Sequence, residues 1–267
     1  MTVIFETGYT LPVGDEPLTH ARVAHANNWY AGGTITASST ATGFFADAPD
    51  NSLTYEKWKP TGAGATWETD LGSAMEVDYC CIAAHDLGTT GNTLQVEYWD
   101  GAAWVGVNAG GAITDDSPIF SIFEPRTFQK WRIRNSTGTA PTIGVIRFGK
   151  ALGIEQAIYG GHSPIDFNRI TTMKSNISAT GEFVGRTKLR SELQTTFSWT
   201  HLTAAWVRTN WGVFQQAFET EPFFIAWRPG TFGEVGYVQT DSPATPSNMG
   251  VKSYMAVELT VRGPGYE

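Results

Sequence analysis

At 267 residues the chain is long enough for one large or two ordinary domains, each able to bury its own core. Apolar residues make up 41% and charged residues 16%, which excludes the charge-rich, aromatic-poor composition of a disordered chain. A formal charge of −8 supplies no diffuse positive field to gather phosphates, so nucleic-acid binding is not expected, and no apolar run approaches membrane-spanning length.

Residues 1–34 hold two turn signals, Pro12-Val13-Gly14-Asp15 and Asn27-Asn28, followed by Trp29-Tyr30 and Gly32-Gly33, and read as a lead-in. From Thr34 to Gly149 short β-branched and aromatic segments are separated every eight to twelve residues by Gly, Asn, Asp or Pro, the spacing of an antiparallel sandwich. Leu94, Val96 and Tyr98 alternate with Gln95, Glu97 and Trp99, as a strand with one buried face requires, and Asp100-Gly101 supplies a hairpin turn. Trp131 to Asn135 and Ile143 to Gly149 read as closing strands. The two cysteines, Cys80 and Cys81, are strand neighbours on opposite faces, a poor geometry for a mutual disulfide.

The order Ile35-Thr-Ala-Ser-Ser39, a turn-rich loop at 43–52, Leu53 to Trp58, Trp67 to Gly72, an apolar run at 77–84 and Leu94 to Trp104 resembles the discoidin or coagulation-factor C-type family. That resemblance spans roughly residues 20–150 and implies a galactose-binding-like β-sandwich, a jelly roll whose loops bind carbohydrate. It places Trp29, Tyr30, Phe44, Phe45 and Tyr55 in exposed ligand loops, with Asp50 and Asn51 beside them. Aromatic faces there would stack on pyranose C–H surfaces, and planar polar groups would bind hydroxyls. The Asp-x-x-x-Thr motif is kept as Asp50 to Thr54, but Trp58 stands four residues after Thr54, where the family has a closer aromatic. His85 is expected in an exposed loop after the apolar run, within reach of a ligand. Asp47, Asp50 and Asn51 offer hard oxygen ligands of the sort calcium prefers, and the resemblance implies a structural calcium near such loops; the same residues also suit turn hydrogen bonds.

A second unit is expected to begin near Gly153, dividing the chain into 1–152 and 153–267. Asn176–Arg186 and Thr187–Phe197 alternate like paired strands. Leu202, Trp206, Val213, Phe214, Ala217 and Phe218 lie at helical spacing, which predicts one helix over 202–218, capped by Thr200 and stopped by Pro222. Phe223–Trp227, Gly236–Val238 and Tyr254–Arg262 read as strands. Lys188, Arg190 and Arg186 alternate with polar residues like a solvated strand face. The expected fold is therefore mainly β, a sandwich followed by a β-rich domain with one helix.

No Gly-x-Ser-x-Gly elbow, phosphate-cradling loop, dinucleotide fingerprint or zinc-type His and Cys spacing occurs, so no catalytic residue is assigned. The second unit looks like distal-tail or baseplate ring proteins of long-tailed bacteriophages. That resemblance implies a structural tail component, made in the host cytoplasm and carried on the virion, which self-associates as a ring, trimer or hexamer. Its partners would be other tail proteins and host-surface glycans. The alternative is a carbohydrate-binding module or a subunit of a carbohydrate-active enzyme; a third reading is a non-viral adhesin or scaffold.

Overall fold

β-branched and aromatic residues at alternate positions pack well on a pleated surface, and they organise nearly half of this chain into strands. The computed structural model describes residues 2–107, 111–164, 169–250 and 252–265. Its first half contains β1 (Thr2–Phe5), β2 (Arg22–Ala24), β3 (Thr34–Ala37), β4 (Thr66–Ala83), β5 (Thr93–Trp99), β6 (Trp104–Gly106), β7 (Gly111–Ala112), β8 (Ile119–Asn135) and β9 (Val145–Gly149). There follow β10 (Leu152–Gly153), β11 (Arg169–Ile177), β12 (Phe183–Thr203), β13 (Phe223–Ala226), β14 (Val235–Val238), β15 (Ser247–Asn248) and β16 (Tyr254–Pro264).

The largest sheet runs β3-β4-β8-β5-β6, with β9 also on β4, β7 on β5 and β1 on β8. All its pairs are antiparallel except β1 with β8. In β4 every residue from Val77 to Ala83 is buried, because this end of the strand is covered on both faces. Val77, Cys80 and Ile82 enter one core with Trp67, Phe123 and Trp131, whereas Tyr79, Cys81 and Ala83 enter another with Phe120 and Val145. Cys80 and Cys81 are accordingly free thiols on opposite faces. Burial pushes both thiols up.

The second core is shared with the C-terminal part of the chain, since Phe224, Ala226, Val235 and Tyr237 pack into it. The corresponding sheet runs β10-β2-β13-β14, so the lead-in strand β2 hydrogen-bonds to β13. Sequence position 152/153 is thus crossed by one continuous sheet. A third sheet, β11-β12-β16-β15, closes over a core built from Phe197, Trp199, Trp211, Phe214 and Leu259.

The helix differs in detail from its sequence expectation. β12 runs on to Thr203 through an irregularity between Trp199 and Leu202, with His201 at φ 63°, so Leu202 is buried as a strand residue. The helical run starts later, as α1 (Ala204–Trp206), a π turn (Val207–Trp211) and α2 (Gly212–Phe218). Thr203, not Thr200, caps it, its hydroxyl accepting the Trp206 N–H at 3.2 Å. The π turn shifts the buried face: Val207 and Trp211 are inside with Phe214, Ala217 and Phe218, and Val213 is exposed. The expected pairing of 176–186 with 187–197 is also corrected. The turn lies at 178–182, with Gly181 at φ 88°, and everything from Phe183 to Thr203 is one strand. Bulges opposite Thr172/Met173 and Asn176/Ile177 shift the alternation within it, which is why it reads as two segments.

Candidate functional site

The loop between β3 and β4 is held at its base by two tryptophans. Trp58 is buried, exchanges backbone hydrogen bonds with Ile143 at 2.9 Å, and donates its indole N–H to Ser39 O at 3.0 Å. Trp67 donates its own to Ala46 O at 2.7 Å. Trp58 is therefore a core plug and offers no ring to a ligand. Between these anchors the chain makes a short 3-10 turn, Ala48–Asp50, with Pro49 in its first turn and both Ala48 and Pro49 buried.

The loop encloses a cleft of about 450 Å³ whose lining includes Phe44, Phe45, Asp47, Asn51, Tyr55 and Lys57. Phe45 is 66% exposed and Tyr55 75% exposed. Phe44 is half-buried, and Lys59 Nζ lies 5.9 Å from its ring centroid, so one face is already engaged. Asn51 donates from Nδ2 to Glu56 Oε2 at 2.8 Å and accepts the Leu53 N–H at 2.7 Å, which orients the two polar side chains side by side. A larger cleft of about 630 Å³ adjoins it and shares Asn51 and Tyr55. Its far wall brings in Tyr237 and Arg262 from the C-terminal sheets and Glu221 from the turn before β13. Tyr55 stands on the ridge between the two.

Of the residues expected in one ligand site, the fold brings together Phe44, Phe45, Asn51 and Tyr55, and it sets Asp47, expected only as a calcium ligand, beside them. Trp29 is excluded, being only 7% exposed. It bridges to Gly149, where a Cβ would come within 2.8 Å of the Trp29 Cα, and its ring is covered by the Arg147 guanidinium at 4.8 Å. Tyr30 lies in a separate cleft of about 350 Å³ beside His25 and Lys150, with its hydroxyl donating to Glu76 O at 2.9 Å. His85 is 4% exposed, not a loop residue open to ligand. Its Nε2–H donates to Ser117 O at 2.8 Å and its Nδ1 accepts the Leu87 N–H at 3.3 Å, a neutral structural imidazole whose pKa burial lowers to about 4.

Asp50 does not line the aromatic cleft. Its carboxylate accepts the Gly32 N–H at 3.2 Å, and burial raises its pKa even though Arg147 is near. Among the described residues no three His, Cys, Asp or Glu side chains group as a metal set. The residue that sequence reasoning missed is Arg147. Buried in β9, it donates to Pro49 O at 2.9 Å and to Ser52 Oγ at 3.3 Å, tying the loop to the sheet, while Ser52 donates to Glu221 and Tyr237 donates to Ser52 O at 2.8 Å. An arginine inside the apolar run 143–149 was the available clue, because a buried guanidinium must find acceptors.

No protein-family model matches the chain, and no curated protein matches it. Solved structures do. A pectin-binding carbohydrate-binding module is 15% identical, over 45% of this chain and 92% of its own, with a TM-score of 0.40. Chitosan-binding module 1 from a Paenibacillus sp. IK-5 chitosanase/glucanase is 20% identical, over 46% and 98%, with a TM-score of 0.38. The family 32 carbohydrate-binding module of C. perfringens NanJ, solved with galactose, is 15% identical, over 44% and 93%, with a TM-score of 0.39. At these values the likeness carries no functional argument, which rests on the cleft itself. The chain is mainly β, with antiparallel sheets and one helical run.

Proposed function

We propose that this protein is a binding protein that holds carbohydrate at the 43–57 loop. The observation that carries this reading is the convergence, in one cleft, of two exposed aromatic rings with Asp47, Asn51, Glu56 and Lys57. An exposed ring offers an apolar face to the C–H side of a pyranose, and neighbouring amide, carboxylate and ammonium groups supply donors and acceptors for its hydroxyls. The tryptophan-anchored base holds these groups before a ligand arrives, which reduces the ordering cost of binding. The groups with strongly shifted pKa, among them Asp78, His25, His85, Asp115, Tyr79, Tyr237 and the two cysteines, do not line this cleft, which favours binding over turnover.

The aromatic cleft favours carbohydrate binding over the tail-assembly expectation. Binding to a panel of immobilised glycans, followed by titration calorimetry on the best of them, tests the reading. Tyr55→Ala is expected to weaken affinity about tenfold or more, equivalent to about 1.4 kcal/mol, without changing the thermal transition, because the side chain is exposed. Absence of any glycan binding, or equal affinity of the wild type and Tyr55→Ala with Phe45→Ala, would remove this site.

A further inference from the structure

Tyr55, 75% exposed, stands between two clefts rather than at the rim of one. The aromatic cleft of the 43–57 loop lies on one side, and on the other the larger cleft of about 630 Å³ has Tyr55 and Asn51 in its near wall. The far wall belongs to the other half of the chain. Gln239, just past the end of β14, and Arg262, near the end of β16, exchange backbone hydrogen bonds at 2.7 and 2.8 Å, which fixes the two strand ends side by side. The two walls are also tied to each other. The Ser52 hydroxyl donates to Glu221, and the Ser52 carbonyl accepts the Tyr237 hydroxyl at 2.8 Å. The width of the larger cleft is therefore set before a ligand arrives, which lowers the ordering cost of filling it.

The lining of this second cleft suits a sugar better than an ion. Leu53, Pro222 and Pro264 supply apolar surface, and the exposed Gln239 amide and Thr54 hydroxyl supply donors and acceptors. Its three charged side chains are already engaged by the protein. Arg262 Nε lies 2.9 Å from Asp241 Oδ2, Glu192 Oε1 lies 2.5 Å from Arg190 Nε, and Glu221 accepts the Ser52 hydroxyl. The aromatic cleft sets Asp47 and Glu56 against Lys57, a net charge of −1, so neither cleft draws in an anion.

We infer that the two clefts are successive subsites of one groove for an uncharged oligosaccharide, a chain that crosses the Tyr55 ring and reaches the Gln239 amide. This inference rests on the carbohydrate reading and extends it: the aromatic cleft holds one part of the chain, and the second cleft, walled by β14 and β16, selects for length. A monosaccharide occupies the aromatic cleft alone. Further sugars are tethered to the one already held, so their contacts add affinity without a second loss of translational freedom.

Calorimetric titration of the full chain is the test, with cellulose-derived and galactan-derived chains from monosaccharide to hexasaccharide as neutral probes and galacturonate and glucosamine chains of the same lengths as charged ones. For one neutral series the affinity is expected to rise about tenfold or more between monosaccharide and tetrasaccharide. Gln239→Ala is expected to lose about fivefold on the tetrasaccharide with monosaccharide affinity and melting temperature unchanged, because the side chain is exposed and lies outside the aromatic cleft. Tyr55→Ala is expected to weaken both ligands. Equal affinity at every length, or a rise with length that Gln239→Ala leaves whole, would overturn the groove and leave the aromatic cleft standing as a binding site. A galacturonate or glucosamine chain that binds more tightly than the best neutral chain of its length would overturn the ligand class. Failure of every chain to bind would remove the carbohydrate reading and the groove with it.

Discussion

Asp78 is a carboxyl whose environment runs against its chemistry. Burial pushes its pKa up to about 7, and the Ala151 N–H, donated at 2.7 Å, only partly offsets the desolvation. A carboxyl with a folded pKa above its unfolded value, 3.8, contributes stability that is whole below that value and lost as pH rises through about 7, on the order of 4 kcal/mol by that point. His25 and His85 have the opposite sign. Burial lowers both to about 4, so their contribution is present above 6.5 and lost as pH falls through about 4. Between these limits the wild type sums opposing slopes. Asp78→Asn keeps an oxygen for Ala151 and removes the carboxylate, so its melting temperature relative to wild type is expected to rise by several degrees from pH 5 to pH 8. Using the change in that difference cancels any fixed cost of the buried amide, and calorimetry at the two pH values checks it. A difference that is flat with pH would mean that Asp78 is not neutralised in the fold.

At the scale of elements, the cap and the long strand are where pattern and structure part. Thr203 joins two elements: it caps α1, and its hydroxyl donates to Glu155 Oε1 at 2.8 Å while its N–H donates to Oε2 at 2.6 Å. Thr203→Ala is expected to cost about 1 kcal/mol or more, whereas Thr200→Ala, at the position favoured by sequence, is expected to cost less than about 0.5 kcal/mol in urea unfolding. Equal effects would show that the strand-to-helix junction is not held by this cap. Alternation identified β5 because Leu94 and Val96 face one core while Gln95 points away, and it identified β16 for the same reason. It failed in β12, where two bulges reset the phase, and at Val213, where the π turn rotates the helix face.

Across the whole molecule, the middle sheet is what unites the chain. β2 lies between β10 and β13, and Phe224 and Tyr237 complete a core otherwise built from Tyr79, Cys81 and Phe120. Arg147, Ser52, Glu221 and Tyr237 add a polar network across the same junction. Residues 153–267 expressed alone would leave β13 without β2 and expose the Phe224 face. They are expected to show no cooperative thermal transition, while the full chain unfolds in one. A sharp transition in the isolated 153–267 piece would establish that the junction is dispensable. No composition change marks this junction, because β2 is three residues long and its partners β10 and β13 lie 129 and 202 positions away at Val23.

The sequence by itself determined what depends on neighbours along the chain: a mainly β fold, opposed faces for Cys80 and Cys81, the Asp100-Gly101 turn, and the loop in which Phe44, Phe45, Asp47, Asn51 and Tyr55 meet. Strand period and turn chemistry are local, and residues within one short loop have few ways to be far apart. Only the tertiary structure decided which aromatic and ionisable side chains face water. Trp29 lies under Arg147, His85 turns inward to Ser117, and Tyr55 stays on a ridge, because burial depends on which distant element packs across the sheet.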